Sequence, residues 1–167
     1  KNIFLYLQVL LLIGQSFLMT PIRKLADTSR QIPLRNISRL ILDIREGKET
    51  LAMIGIRKPS LNYYSRQIVF YEPNTQEGLI NLSERLIADR RKNYEDQPDY
   101  EYKSLLIVID DYSLRQDHWS NINHQKLGEY GIYNLWRIQK SDLNNYSDFL
   151  VNSGYKSDWK DRKVEKF

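Results

Sequence analysis

The sequence predicts an α/β fold: a three-layer α/β/α sandwich with a mostly parallel sheet of about four strands, preceded by an N-terminal hydrophobic helix. The first supporting observation is a stretch without charge that lies between Lys1 and Arg23. The second is a set of continuous apolar runs of strand length, which are typical of strands buried on both faces. The third is that helical patterns alternate with these runs, as they do in parallel βαβ units.

The uncharged stretch, residues 2–22, has the length of a membrane-spanning helix. As a helix it would extend roughly 31 Å, about the thickness of the hydrocarbon core of a bilayer. We therefore interpret it as a transmembrane helix, the last of several, with its few polar residues against neighbouring helices. Two alternatives stay open. One is a signal peptide or signal anchor, since the apolar centre at Ile3–Ile13 is short, and the other is a buried core helix of a soluble domain.

Three basic residues follow this stretch, namely Arg23, Lys24 and Arg30. They suit an interfacial anchor. The positive-inside rule would place the remainder of the chain in the cytoplasm, although that rule is weak for a long terminal domain. Because the chain opens with a lysine inside a hydrophobic segment, we expect it to be a piece of a longer protein.

The chain divides by composition into four parts. They are a hydrophobic segment, a connector, an α/β domain and a polar tail that we expect to be frayed, at residues 1–22, 23–33, 34–155 and 156–167.

The α/β domain is predicted to contain four strands and several helices. The apolar runs place strands at 50–56, 67–71, 104–110 and 130–138. Apolar residues spaced three and four apart place helices at 34–45 and 74–92, and a shorter helix is expected within 113–122. The last helix lies between Ser141, its expected cap, and Gly154. A polar, acidic loop is expected at 93–103.

Composition excludes several kinds of chemistry and weakly favours an interface. The chain has no cysteine, so it holds no disulfide, thiolate nucleophile or cysteine-based zinc site. The formal net charge of +4 is mild: it suits an anionic lipid headgroup, but a solvated mixed surface is the commoner explanation. Twelve tyrosines and three tryptophans are many for 167 residues, and such aromatics favour interfaces, including those of membranes.

The turn after the first strand, GIRKPS, is the first candidate site. It contains neither G-x-G-x-x-G nor G-x-x-x-x-G-K-[ST], so the sequence does not predict a nucleotide site there. Ser60 and nearby backbone N–H groups, aided by Arg57 and Lys58, would suit a phosphate at a helix start. The alternative, which we favour, is that Ser60 only caps the next helix.

A second candidate is the pair Asp110 and Asp111, at the end of the clearest strand. In an open α/β sheet, ligands bind at the carboxyl ends of strands, where paired carboxylates would bind a divalent ion or act as a base. The alternative, again favoured, is that Asp111 caps the next helix while Asp110 pairs with an arginine. The two histidines, His118 and His124, match no metal pattern, so we predict no metal site. No aromatic–glycine RNA-binding motif accompanies the basic run Arg90–Lys92, so we predict no nucleic-acid partner.

Three segments follow one another in a recognisable order: ETLAMIGIRKPSLNYYSRQIVFYE, then LIVIDD and LGEYGIYNLWRIQKSDL. Through them nearly the whole chain resembles the C-terminal extramembrane region of polytopic, lipid-carrier-dependent glycosyltransferases, the superfamily of protein O-mannosyltransferases and aminoarabinose transferases. In the family a strand leads into a K-P-S turn with apolar residues and a tyrosine, which is similar to Lys58–Tyr64. The chain departs from that pattern at Asn62, where the family is usually apolar, and at Tyr63, where it usually has phenylalanine.

The resemblance implies an enzyme that moves a sugar from a polyprenyl-phosphate carrier to a protein, lipid or glycan acceptor, outside the cytoplasm. It implies that the catalytic acidic residue lies far upstream, in the membrane domain, so no catalytic residue is assigned here. The α/β domain is then expected on the extracytoplasmic (periplasmic) side of the plasma membrane, against the membrane domain of the same polypeptide and the bilayer. No cofactor is expected in this chain, and a metal for the whole enzyme is left open.

The resemblance makes the turn and its tyrosines the substrate-facing or lipid-facing candidates: Arg57, Lys58, Ser60, Tyr63 and Tyr64. Two other functions stay open at this point. One is a membrane-anchored α/β binding module unrelated to sugar transfer, and the other is a soluble enzyme that uses Asp110 and Asp111.

Overall fold

The structure, a computed structural model, describes residues 2–47, 49–93 and 103–161, and the predicted acidic loop lies largely outside them. The chain begins with helix α1, Asn2–Ala26, whose described side chains are almost all exposed. The segment Ile3–Leu25 is long and apolar enough to cross a membrane, with a mean hydropathy of 1.8, although a single such helix is weak evidence. Ser16 and Thr20 donate to backbone carbonyls one turn earlier, which satisfies their hydroxyls inside the helix.

A π-helical segment, Asp27–Gln31, joins α1 to helix α2, Ile32–Ile44. Pro33 lies in the first turn of α2, where its missing N–H costs no hydrogen bond. The buried face of α2 includes Leu34, Ile37 and Ile41, at the predicted helical spacing.

Five strands form one mixed sheet in the order β2-β1-β3-β5-β4. Their bounds are Thr50–Ile54 (β1), Val69–Glu72 (β2), Ser104–Asp110 (β3), His124–Tyr130 (β4) and Tyr133–Gln139 (β5). Strands β2, β1 and β3 are parallel. Strand β5 is antiparallel to both β3 and β4.

Helices cover both faces of this sheet, which confirms the three-layer sandwich. Helices α2 and α3 (Ser60–Ser65) pack on one face, over a core that includes Met53, Val108 and Leu135. The opposite core includes Ile107 and Trp136. It is covered by α4 (Gln76–Asn93), a 3₁₀ turn (Ser113–Arg115), α5 (Asp117–Ser120) and α6 (Lys140–Asn152).

The sequence missed one strand and part of the pairing. The expected fourth strand, 130–138, is the turn and second arm of a β4–β5 hairpin, in which Gly131 and Ile132 form the two-residue connection. Gly131 has a φ of 61°, as such tight hairpin turns require. Strand β4 is an edge strand with no fully buried side chain, so it lacks the apolar run that marked the other strands.

Two predicted caps were also wrong. Ser60 is the first residue of α3, and Pro59 occupies the cap position without a side-chain hydrogen bond. Likewise α6 begins at Lys140 with Gln139 as its cap residue, two positions before Ser141. Thr75 caps α4, because its hydroxyl accepts a hydrogen bond from the Gly78 N–H at 3.2 Å.

The tail is held in place over part of its length rather than frayed. Asn81 of α4 accepts hydrogen bonds from the backbone N–H groups of Asp158 and Trp159 at 2.9 and 3.2 Å. The indole of Trp159 and the hydroxyl of Ser157 both donate to Glu84 at 2.8 Å. Residues 157–159 therefore belong to the folded unit.

A buried ion pair joins four elements at the amino edge of the parallel strands. Glu49, whose side chain is fully buried, accepts from Arg137 Nε at 2.9 Å and from the Ser104 hydroxyl at 2.6 Å. Arg137 Nη2 also donates to the carbonyl of Ile44 at 2.9 Å. The hydrogen bond to Glu49 is the main reason that the pKa of Arg137 is raised. The contacts link the end of α2 to the starts of β1 and β3 and to β5.

Replacing Arg137 with methionine is expected to destabilise the fold by about 3–5 kcal/mol, because Glu49 then keeps a buried charge without its partner. Urea unfolding followed by circular dichroism measures the change. The double variant Glu49→Gln, Arg137→Met should recover part of the loss.

The matched control is Lys126→Ala, which removes an ion pair with Glu129 whose side chains are 51% and 54% exposed. Such a pair contributes about 0–1 kcal/mol. Equal effects of Arg137→Met and Lys126→Ala would contradict the structural role given to the buried pair.

Candidate functional site at the carboxyl edge of the sheet

The carboxyl edge of the parallel strands gathers most of the predicted site residues. Strands β1, β2 and β3 end there at Ile54, Glu72 and Asp110, and β5 starts there because Tyr133 pairs with Asp110. Helix α2 also starts at this edge, since a side chain on Gly131 in the β4–β5 turn would meet Pro33 at 2.9 Å. Helix α2 ends at the opposite edge, beside Arg137. The chain that leaves α1 therefore enters the domain at the carboxyl edge.

The turn Gly55–Ser60 is held against strand β2 by Tyr71. The Tyr71 hydroxyl donates to the Lys58 carbonyl oxygen at 2.9 Å, and Asn62 Oδ1 lies 3.0 Å away as a second acceptor. The guanidinium of Arg57 lies over the Tyr71 ring, 5.5 Å from its centroid. Asn62, which departs from the family pattern, thus has a structural partner in Tyr71. The hydrogen bond from Tyr71 also fixes the backbone of the turn that carries Arg57 and Lys58.

The two tyrosines of the motif have different surroundings. The Tyr64 hydroxyl accepts from Arg35 Nε at 3.2 Å and lies 3.5 Å from Gln31 Oε1, so it joins α3 to the junction between α1 and α2. That hydrogen bond is the main cause of the raised pKa of Arg35. Tyr63 is 81% exposed, and its ring meets that of Tyr64 edge-on with centroids 5.5 Å apart. Of the two, only Tyr63 presents a largely free surface.

Asp110 and Asp111 have different hydrogen-bond partners. Asp110 is buried, and its Oδ1 accepts from the Ser113 N–H at 2.6 Å, at the start of the 3₁₀ turn whose cap position is occupied by Tyr112. Asp111 is exposed, and its Oδ1 accepts from Asn134 Nδ2 at 2.7 Å. These partners differ from the expected ones, in which Asp111 caps the next helix and Asp110 pairs with an arginine. Burial and the charge of Asp110 raise the pKa of Tyr133.

Within the described ranges, no group of three or more histidine, aspartate or glutamate side chains is placed to hold a metal ion. His118 lies with Nε2 2.5 Å from the Asn74 carbonyl oxygen, and His124 stacks on Trp136 with centroids 3.6 Å apart. Both histidines therefore have packing roles.

Sequence reasoning missed the close approach at Gly55, which fixes the geometry of this edge. Gly55 has a φ of 84°, and a side chain there would lie 2.6 Å from Asp110 Oδ2 and even closer to Ser113 Oγ. The signal was present, since a lone glycine at the end of a strand often marks a close backbone contact. Only the structure shows that the contact is with Asp110.

Gly55→Ala is expected to destabilise the fold by about 2–4 kcal/mol, because backbone strain and steric overlap with Asp110 act together. Thermal unfolding measures the loss.

Gly154→Ala is the matched control, since Gly154 has a φ of 99° but no atom lies within 4 Å of the position that an alanine Cβ would occupy. The Gly154→Ala variant should lower the free energy of unfolding by only about 1 kcal/mol. If the two variants were equally stable, the contact at Gly55 would not constrain the turn.

Tyr71→Phe is expected to cost about 0.5–1.5 kcal/mol through the lost hydrogen bond to the turn. Burial raises the pKa of Tyr71. This effect is larger than the lowering of the pKa by the charge of Arg57 and the hydrogen bond with Asn62. A tyrosine with a raised folded-state pKa stabilises the fold fully below its unfolded pKa of about 10, and this stabilisation is lost as the pH rises through the folded value. The difference between wild type and Tyr71→Phe should therefore shrink above about pH 10.

Urea unfolding at neutral and alkaline pH measures that difference, with Tyr63→Phe as the exposed control. A difference that grows with pH would contradict the account.

Comparison with protein families decides the identity of the α/β domain. Residues 44–154, well over half of the chain, match the family described as the cyanobacterial RgtA-type glycosyltransferase, C-terminal domain. The chain belongs to this family. The expected relationship to membrane glycosyltransferases is thereby confirmed. Searches among curated proteins and solved structures gave no match.

The matched range covers β1 to α6, including the whole K-P-S turn, Asp110 and Asp111, and leaves out α1. Together with the apolar helix α1, the glycosyltransferase domain suggests a membrane protein.

Proposed function

We propose that this chain is the accessory C-terminal domain of a membrane enzyme that transfers a sugar from a polyprenyl-phosphate carrier to a protein, lipid or glycan acceptor. The family match supports sugar transfer, and it carries the proposal. Helix α1 supports membrane attachment, as the last transmembrane helix before the domain. The domain would lie on the extracytoplasmic side of the plasma membrane, where a long terminal domain is placed despite the cations that follow α1.

The domain is proposed to act without catalytic residues of its own. Asp110 and Asp111 at the carboxyl edge each accept a hydrogen bond, from the Ser113 N–H and from Asn134, which supports a structural rather than an acid–base role. The membrane domain would perform an inverting displacement at the anomeric carbon of the sugar. The α/β domain would cover the mouth of that site.

The surface that would meet the carrier or the acceptor is the turn with α3. Arg57 and Lys58 supply positive charge beside the chain's entry from α1, which suits the phosphate of a lipid carrier. Their backbone is fixed by Tyr71, so the charges are pre-positioned. Tyr63 adds an exposed ring next to them on α3.

Lys58→Ala in the full-length enzyme is expected to lower sugar transfer about 10-fold, because a lost charge-assisted contact to phosphate costs about 1.5–3 kcal/mol. Transfer from a panel of radiolabelled polyprenyl-phosphate monosaccharides to endogenous membrane acceptors measures the effect. Tyr64→Ala should also lower transfer, by loosening α3 from the junction with α1.

Lys126→Ala is the control, since Lys126 is an exposed cation on the far edge strand β4. Wild-type transfer by Lys58→Ala and Tyr64→Ala, at normal expression, would show that the turn is purely structural. No transfer by the wild-type enzyme from any carrier in the panel would favour a membrane-anchored binding module instead.

A further inference from the structure

The exposed apolar side chains of the α/β domain are concentrated at its carboxyl edge. Among the described residues after α1, the large apolar side chains that remain exposed fall into two groups. Those at the carboxyl edge, including the last turn of α6 and Tyr155 shortly beyond it, are Ile32, Ile56, Tyr112, Tyr130, Ile132, Phe149, Val151 and Tyr155. The others are Tyr63, on α3 beside the K-P-S turn, and Leu42, Ile68 and Ile87 elsewhere in the domain. A folded domain gains nothing by collecting apolar side chains at one end, so this distribution indicates an interface.

Three of these residues are neighbours along the sheet. Ile56 follows Gly55, which lies against Asp110, and Tyr112 follows Asp111. The Asp111 N–H donates to the Ile132 carbonyl oxygen at 3.0 Å, so the loops after β1, after β3 and before β5 form a continuous row. We call Ile56, Tyr112 and Ile132 the edge row. Tyr112 and Ile132 are 69% and 45% exposed.

The connection to α1 lies next to this row. Helix α2 starts beside Gly131, next to Ile132, and the π-helical segment leads directly from α1 into α2. The junction is braced by Arg35, which bonds Tyr64 at 3.2 Å and pairs with Asp27 at 3.4 Å. If α1 spans a bilayer, the edge row is the part of the sheet nearest to the surface where α1 emerges.

We propose that the edge row inserts into the lipid–water interface of the bilayer that holds α1. Tyrosine and isoleucine side chains suit this layer, because a tyrosine ring buries its carbons and leaves its hydroxyl hydrated. The partner is the interface itself rather than an anionic headgroup. Cations and carboxylates are mixed close to the row in sequence: Arg57, Lys58 and Arg115 are accompanied by Asp111 and Asp117. The inference rests on the proposed membrane attachment through α1.

The absence of cysteine from these 167 residues allows a direct test, because each introduced thiol is unique within them. Nitroxide labels are placed on Ile132→Cys in the edge row, on Ile68→Cys and on Leu10→Cys in α1. Ile68 is the matched control: it is an isoleucine, 82% exposed, located just before β2 at the opposite edge. The protein is reconstituted in phosphatidylcholine nanodiscs, and power-saturation EPR compares accessibility to oxygen with accessibility to a water-soluble nickel chelate.

The label at 132 is expected to show a severalfold higher ratio of oxygen to nickel accessibility than the label at 68, with the highest ratio at position 10. Adding phosphatidylglycerol should leave the ratio at 132 unchanged. A dependence on anionic lipid would overturn the apolar account.

Other outcomes separate this inference from the proposed function. A lipid-exposed label at 10 with a water-exposed label at 132 would overturn the docking of the edge row but leave membrane attachment intact. A water-exposed label at 10 would overturn both. A label at 132 that is shielded from both reagents would replace the lipid interface with a protein surface, and equal ratios at 132 and 68 would overturn the orientation.

Discussion

The buried contact between Glu49 and Arg137 is the constraint on which the architecture depends. It forms where α2 ends, where β1 and β3 start and where β5 finishes, so four separate parts of the chain must meet before the charges are satisfied. An unpaired charge at a fully buried site is too costly for most alternative arrangements. The pair therefore fixes the direction of α2, which must run from the carboxyl edge to the amino edge. That direction in turn decides which end of the domain receives α1.

The opposite edge is organised by short-range contacts of a different kind. Gly55 allows the end of β1 to approach Asp110, and Asp110 accepts a hydrogen bond from the Ser113 N–H in the turn that follows β3. The Tyr71 hydroxyl donates to the K-P-S turn. The proposed functional surface is thus built on loops that are fixed by polar contacts to the sheet. Such an arrangement suits a domain that must present cations and aromatic rings at a defined height above a membrane.

The layers of the fold could be predicted from the sequence, but the number and pairing of all the strands could not. Continuous apolar runs identified β1 and β3 because both faces of these strands are buried, and helical spacing identified α2 and α4. Strand β4 was missed because it is an edge strand whose side chains are largely exposed. The antiparallel direction of β5 was missed for a related reason. A buried strand has the same apolar run in either direction, and only the turn at Gly131 distinguishes a hairpin from a crossover.

The candidate site shows the same division between local pattern and tertiary contact. The pattern at Lys58–Tyr64 was visible as a motif, and the structure places it at the expected edge of the sheet. The partners of Asp110 and Asp111 differ from the expected ones, because Ser113 and Asn134 are positioned by the loop after β3 and by a strand whose pairing the sequence did not predict. The spacing of residues along the sequence does not predict contacts that depend on strand direction.

The central claim is that the carboxyl edge of the sheet faces the membrane in a sugar-transferring enzyme. A structure of the full-length protein in lipid nanodiscs, determined by electron cryo-microscopy, tests it most directly. The account predicts that Ile54, Asp110 and Tyr133 lie on the bilayer side of the α/β domain, with the K-P-S turn over the opening of the membrane domain. A domain whose amino edge, with Glu49 and Gln139, faces the bilayer would contradict it.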